Sequence, residues 1–359
     1  MPSLELPEIG KISPAVFAEM IYPRLGAEDR NILVEPASGV DCGIVRIGGQ
    51  TVAMTTDPVF IVPQYGWERA AWFAIHILLS DAVTSGLPPK YLSIDLNLPL
   101  DMTIEALDII WGVIHRECEK YGVAIVAGHT ARYEGCSYPM VGGATVLAVG
   151  PEEAYVTPSL ARPGDVIIIT KGPAIEATGI FAAGLPQLVE AKLGAEFRRR
   201  AEAIFWQMSA VEDALVAVAQ GVREEGVTSM HDATECGIWG ALWELAEASG
   251  LGLLVERERI VAQPECLELC AALGLDPYAC ISEGTLVLTC RPHAADRILA
   301  ALQQARIAAS AVGEMLPRDR GVRVIEKGIE GELKHPRVDP FWGAFAEAIR
   351  EASSTSCGG

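Results

Sequence analysis

The sequence is short of positive charge. Lys and Arg total 28 against 47 Asp and Glu, a formal net charge of −19. A surface of that sign repels nucleic acid, so no nucleic-acid partner is expected. The short basic run Phe197–Arg200 (FRRR) reads as a solvated helix face. Long apolar runs are missing too. None approaches the roughly 18 residues of a membrane span, and the opening MPSLELPEIGK has no basic region leading into an apolar core. The expectation is a cytoplasmic protein with no membrane partner. The nine cysteines form no CxxC pair. Cys266 and Cys270 share a helix face but no second pair answers them, which argues against a zinc site and for reduced, mostly buried thiols. GxxxxGK[ST] is absent as well, so this is not a Walker-type nucleotide site. A chain this acidic that handles an anionic small molecule needs a metal cation to screen the charge.

What is present is a globular chain of 359 residues, half of them hydrophobic, long enough for two domains. Strands are predicted at GIVRIG and QTVAMTTD around Gly48-Gly49, at KYLSIDLNLP, and on either side of Gly128 to Pro139. WERAAWFAIHILLSDAVTSG reads as a helix, and Thr103 is placed to cap another running from Ile104 to Tyr121. GPEEAYVTPSLARPGD, with three prolines and two glycines, predicts a domain boundary near Ala161. Beyond it, DVIIITKG followed by PAIEATGIFAAGL is strand, turn and helix, and the mixed order continues to a helix over Val211–Gln220. The tail DPFWGAFAEAIREASSTSCGG reads as a short helix and a frayed end.

Several polar residues interrupt apolar context. Asp57 ends a strand, Asp41 precedes one, and Asp81 sits in a helix that is apolar on most sides. Two carboxylates about 4 Å apart repel by roughly 4 kcal/mol at an effective dielectric of 20. If these three converge, Mg²⁺ resolves the repulsion and prefers phosphate oxygens as further ligands. Each also has an ordinary reading: a turn cap before Pro58, a loop residue after Gly39, a helix-end cap. VAGHTAR, Val126 to Arg132, reads as a buried strand that finishes in His129, Thr130 and Arg132. Lys171 and Gly172, with Pro173 in the first turn of a helix, suggest an anion site at a helix N-terminus. In MHDATECG, His231, Asp232, Thr234 and Glu235 cluster before a helix, where Asp232 or Thr234 could also be an N-cap. Glu283 is a general base if buried and a turn residue if not.

In this order, GVDCGIV, TTDP, LLSDAVTSGLPP, AGHTAR, PGDVIIITKG, MHDATECG and DPYACISEG resemble the aminoimidazole ribonucleotide synthetase (PurM-like) superfamily. The likeness is strongest to its HypE branch and related AIR-synthase-like proteins, and spans about residues 38 to 316. It implies an α/β protein: an α+β N-terminal domain (37–155) that dimerises through its sheet, and an α/β C-terminal domain (162–325). A segment 1–36 precedes them, and a helix and tail, 326–359, follow. It implies ATP between the domains, Mg²⁺ on Asp41, Asp57 and Asp81, nucleotide contacts from His129, Thr130, Arg132, Lys171 and Gly172, and Glu283 and Asp232 as catalytic groups. The function implied is ATP- and Mg²⁺-dependent activation of an amide or carbonyl oxygen by phosphoryl transfer, in hydrogenase maturation, with a carbamoyl-donating partner and an acceptor the sequence does not name. Two alternatives share the motifs: a kinase or synthetase resembling thiamine-monophosphate kinase, and a nucleotide-binding regulatory protein without turnover. The chain departs from the pattern at Val40, Ser80 and Cys236. It also ends SSTSCGG rather than Pro-Arg-Ile-Cys, which argues against carbamoyl chemistry on Cys357.

Overall fold

The computed structural model describes residue 12 and residues 14–356. After a single helical turn, α1 (Pro14–Val16), the first half runs β1 (Ile32–Val34), β2 (Gly43–Ile47), β3 (Gln50–Phe60), α2 (Trp67–Thr84), β4 (Pro89–Leu98), α3 (Ile104–Lys120), β5 (Ala124–Arg132) and β6 (Met140–Gly150). Its sheet has the order β1-β2-β3-β6-β4-β5 and is antiparallel except between β4 and β5. The β2–β3 hairpin turns on Gly48 and Gly49 alone, at φ +56° and +79°, the backbone a two-residue hairpin loop requires. Thr103 caps α3 by accepting the Ala106 N–H at 3.2 Å.

β3 alternates as a half-buried strand should. Thr51, Ala53, Thr55 and Val59 are buried, while Gln50, Met54 and Thr56 are exposed. That period puts Thr55 and Asp57 on the face covered by α2. The opposite face is open: Ile47, Met54 and Tyr91 are all more than a third exposed.

The second half runs β7 (Val166–Thr170), α4 (Ile175–Gly184), α5 (Pro186–Leu193), α6 (Ala195–Ala203), α7 (Val211–Val218), β8 (Val227–Asp232), α8 (Gly237–Ser249), β9 (Gly252–Glu256), α9 (Pro264–Leu273), β10 (Leu286–Cys290), α10 (Ala295–Gln304), β11 (Ala309–Leu316), β12 (Val322–Glu326), β13 (Ile329–Glu332) and α11 (Pro340–Ser356). Its sheet has the order β13-β12-β9-β11-β7-β10-β8, with only β9 and β12 parallel.

The halves share one core. Ala70, Phe73, Leu78 and Val83 of α2 belong to the same buried cluster as Ile168, Phe205, Val211 and Leu286 of the second half. Buried from both sides, α2 has to be apolar around most of its circumference. The stretch between the halves is packed as well. Val156 is buried and its N–H bonds Ser85 O at 2.8 Å.

The structure corrects several expectations. The first sheet begins within the segment 1–36, at β1. The segment 326–359 carries β13 and the end of β12, and the helix expected in the tail is α11, docked with Phe341 fully buried against Phe181. β5 is an edge strand with Val126 59% exposed, so its apolar run is not a buried strand. Pro173 lies ahead of α4 and not in its first turn, because Ala174 adopts a left-handed conformation at φ +57°. Cys357 lies outside the described residues.

Candidate active site between the two sheets

Four aspartates meet where α2 passes between the sheets. Asp57 projects from β3 toward α2, Asp81 faces it from the helix, Asp41 comes from the loop before β2, and Asp232 ends β8. Thr55 Oγ1 donates to Asp81 Oδ2 at 2.9 Å, and the adjacent Ser80 Oγ accepts the Ala210 N–H at 2.9 Å. Burial pushes the Asp81 carboxyl well up, and Asp232, Asp57 and Asp41 push it further. Of the three residues read from the sequence as metal ligands, Asp41 and Asp57 thus both act on Asp81, with Asp232 as a fourth member.

His231, next to Asp232 on β8, lies between two carboxylates. Its Nδ1 is 2.8 Å from Asp41 Oδ1 and its Nε2 is 2.8 Å from Glu244 Oε2 on α8. Burial pulls this imidazole down, but Asp41 and Glu244 outweigh it and leave His231 well above the usual histidine range. Ligand atoms of Asp41, His231 and Asp232 lie within 4.8 Å of one another, close enough to share one ion. The donor set is dominated by carboxylate oxygens, which suits a hard cation such as Mg²⁺.

Glu283 occupies the turn before β10 and is 2% exposed. The turn is possible because residue 284 is glycine: at φ +98°, an added Cβ would lie 2.2 Å from Gln207 O. Glu283 Oε1 accepts the Gly284 N–H, and the Glu283 N–H donates to Glu176 Oε2, both at 3.0 Å. Burial, then Asp232 and Glu176, raise the Glu283 carboxyl well above its ordinary value. Glu176 is itself pushed up to about 8, chiefly by burial, despite the N–H bond that opposes it. Glu283 and Asp232, read from the sequence as catalytic groups, therefore face each other. Without a cation nearby, that shift disfavours the ionised form a base needs.

The residues expected to contact nucleotide are placed differently. His129 pairs with Asp95 on β4, and the row continues through Gly143 to Pro58 on β3. Three strand spacings put His129 about 14 Å from Pro58 and the neighbouring Asp57. His129 Nε2 bonds Tyr133 Oη at 2.9 Å, Arg132 donates to Leu100 O, and Thr130 lies between them on the exposed edge. The Lys171 ammonium spends its donors within the chain, on Ser209 O, Gly284 O and Asp213 Oδ2 at 2.6 to 2.8 Å. An added Cβ on Gly172 would lie 2.0 Å from Val261 O, and the α4 amides of Ile175 and Ala177 bond Ser282 Oγ and Ile281 O. Here the helix start is closed by its own neighbours, so Lys171 and Gly172 build the Glu283 turn and present no anion site.

Asp232 does not serve as the α8 cap. That position is Cys236, left-handed at φ +63°, and its N–H donates to Asp339 Oδ2 at 2.7 Å. Sequence reasoning missed Glu176, Glu244 and Asp339. Only Asp339 had a local signal, as an Asp-Pro step opening a helix.

Two family models cover most of the chain: AIR synthase related protein, N-terminal domain, over residues 39–160, and AIR synthase related protein, C-terminal domain, over 162–326. Among curated proteins, carbamoyl dehydratase HypE of Rhizobium leguminosarum bv. viciae is 28% identical over 290 residues, covering 79% of this chain and 78% of the relative. The HypE of Rhodobacter capsulatus is 29% identical over 293 residues, covering 80% and 79%. Among solved structures, a HypE–HypF complex matches with TM-score 0.68 at 20% identity, covering 83% of this chain and 94% of the other. HypE in complex with ATP matches at 0.61 and 20%, covering 92% and 97%. AaThiL complexed with AMPPCP and TMP matches at 0.63 and 23%, covering 83% and 91%. The two domains, each built on its own sheet and meeting at the carboxylates, make this chain a member of the AIR synthase related (PurM-like) family.

Proposed function

We propose that the chain is an ATP- and Mg²⁺-dependent enzyme of HypE type that activates an amide or carbonyl oxygen by phosphoryl transfer. The observation that carries this is twofold: Asp232, Asp57 and Asp41 all act on the buried Asp81, and ligand atoms of Asp41, His231 and Asp232 lie within 4.8 Å of one another. Burying that much like charge is costly unless a cation neutralises it. Magnesium bound there would offset both the carboxylates and the phosphates of a nucleotide. ATP is supported by the relative solved with it, and a carbamoyl-donating maturation partner by the HypE–HypF complex.

In this reading Asp41, Asp57 and Asp81 hold the metal, with Asp232 beside them. Glu283 and Asp232 handle the proton as a pair, since two facing buried carboxyls release protons in steps that belong to both. His231, braced by Glu244, keeps Asp41 in place. His129, Thr130 and Arg132 would meet the far end of a nucleotide whose phosphates lie at the carboxylates, or a nucleotide held by a second copy. The open apolar face of the first sheet supports a homodimer formed through that face. Among the described residues no helix is long and apolar enough to cross a membrane; a cytoplasmic location is part of the proposal.

The test is nucleotide binding and phosphate release with Mg²⁺ for wild type and Asp57→Ala. Affinity for Mg·ATP should fall at least tenfold, a loss of about 1.4 kcal/mol; unchanged affinity sinks the metal assignment. Labelled ATP offered with candidate acceptors separates a small-molecule kinase, in which label moves to the acceptor. Tight binding without turnover would favour a regulatory protein, a reading motivated by the strained Cys236 at a glycine position.

A further inference from the structure

The chain beyond the second family domain returns to the carboxylates. Between β13 and α11, Asp339 is 4% exposed. Its Oδ2 accepts the Cys236 N–H at 2.7 Å, its Oδ1 accepts the Phe341 N–H at 2.8 Å, and the Ile281 N–H faces the same carboxylate. Cys236 belongs to the loop that leaves Asp232 for α8, and Ile281 lies two residues before Glu283. These two loops otherwise meet through Ala233 N–H to Thr285 O at 2.9 Å and Ser282 N–H to Thr234 O at 3.3 Å. Asp339 is fixed from behind. Phe341 is fully buried, 5.3 Å from the Phe181 ring of α4 and stacked on Phe345 at 5.1 Å. α4 in turn holds the Glu283 loop through Ile281 O and Ser282 Oγ. One carboxylate thus joins three elements, one of them through the left-handed backbone at Cys236.

We propose that Asp339 is a positioning residue that sets the Asp232 loop against the Glu283 loop, so that the segment after β13 is part of the frame of the active site. The role in turnover rests on the proposed function; the role in holding the loops does not.

The experiment compares full-length wild type, Asp339→Ala, Asp339→Asn and Phe345→Ala. Phe345→Ala loosens α11 without touching the Asp339 bonds. Amide hydrogen exchange is followed in peptides spanning 233–238 and 279–284. Asp339→Ala should speed exchange roughly tenfold in both peptides, and Phe345→Ala, which removes a ring stacked behind Phe341 but none of the Asp339 bonds, should speed it far less. With Mg·ATP, Asp339→Ala should lower kcat about tenfold with little change in KM, as expected when acid–base groups are misplaced and nucleotide contacts are kept. Asp339→Asn retains one oxygen acceptor and should fall between, and it carries the same comparison if the alanine variant does not fold. Unaltered exchange in both loops, or the same change in Phe345→Ala, would overturn the proposal. A wild type that binds and turns over no ATP would refute the functional reading while leaving the exchange comparison decisive for Asp339.

Discussion

Replacing Asp81 by asparagine separates the electrostatic cost of the site from its use. The strongest charges acting on Asp81 are Asp232, Asp57 and Asp41, all of one sign, and Asp57 lies within hydrogen-bond contact. Two ionised carboxylates 4 Å apart at an effective dielectric of 20 repel by about 4 kcal/mol. Part of that is already relieved, because the raised Asp81 carboxyl favours its protonated form. The Thr55 hydroxyl can still donate to an asparagine oxygen, so packing is preserved. Metal-free Asp81→Asn should therefore be more stable than wild type by roughly 1–2 kcal/mol near pH 7.5, a rise in Tm of about 1–4 °C. The pH dependence has a definite sign. A carboxyl whose folded pKa is raised makes the folded state the better proton binder, so wild-type stability falls as pH rises from about 3.8 through the raised value. The variant lacks that loss, and its advantage should widen as pH rises. With Mg·ATP the order should reverse, because the wild type gains a ligand-dependent rise in Tm that the variant mostly loses. Differential scanning fluorimetry over pH, with and without Mg·ATP, measures both effects. A variant that melts below wild type throughout the range, or keeps the full Mg·ATP shift, refutes the argument.

Two further perturbations test the surroundings. Lys171→Met leaves Asp213, whose side chain is 2% exposed, without its ion-pair partner; it should cost about 3–5 kcal/mol by urea unfolding while leaving nucleotide affinity of the folded protein unchanged. A loss of affinity at full stability would return Lys171 to the nucleotide site. Glu176→Gln keeps an acceptor for the Glu283 N–H but removes a carboxyl pushed up to about 8. Wild-type stability should fall between about pH 4.5 and 8 and the variant should be flatter, by an amount on the order of 1–3 kcal/mol in urea midpoints taken at pH 6 and 8.5. Parallel pH profiles would show that Glu176 does not hold the proton.

Much of the fold was legible because local signals and long-range packing agreed. The alternation in β3, the glycine pair at the hairpin, the Thr103 cap and the apolar circumference of α2 each reflect a neighbour that the pattern already implied. Where the two disagreed, the sequence misled. VAIVA in β5 is as apolar as a buried strand, yet it lies at the sheet edge, because burial is set by what stacks on a strand and not by its own composition. Pro173 looked like a helix start, but the chain needs a left-handed step at Ala174 before α4 can pack on the Glu283 turn. β1 and β13 are short edge strands of three and four residues, too brief for any period to declare itself.

The candidate site divides along the same line. By itself the sequence marked which residues were out of place: Asp81 inside an apolar helix, Asp41 ahead of a strand, Asp57 read as a strand end although it lies within β3, and a His-Asp pair ahead of a helix. A polar group next to a core must be accounted for, and that argument needs no coordinates. Only the tertiary structure decided who answers whom. Asp41 meets His231 across 190 residues, Glu176 meets Glu283 across 107, and Asp339 reaches Cys236 across 103. No periodicity spans such separations. They exist because α2 is buried between two sheets, and that shared core brings the loops of both halves to one place.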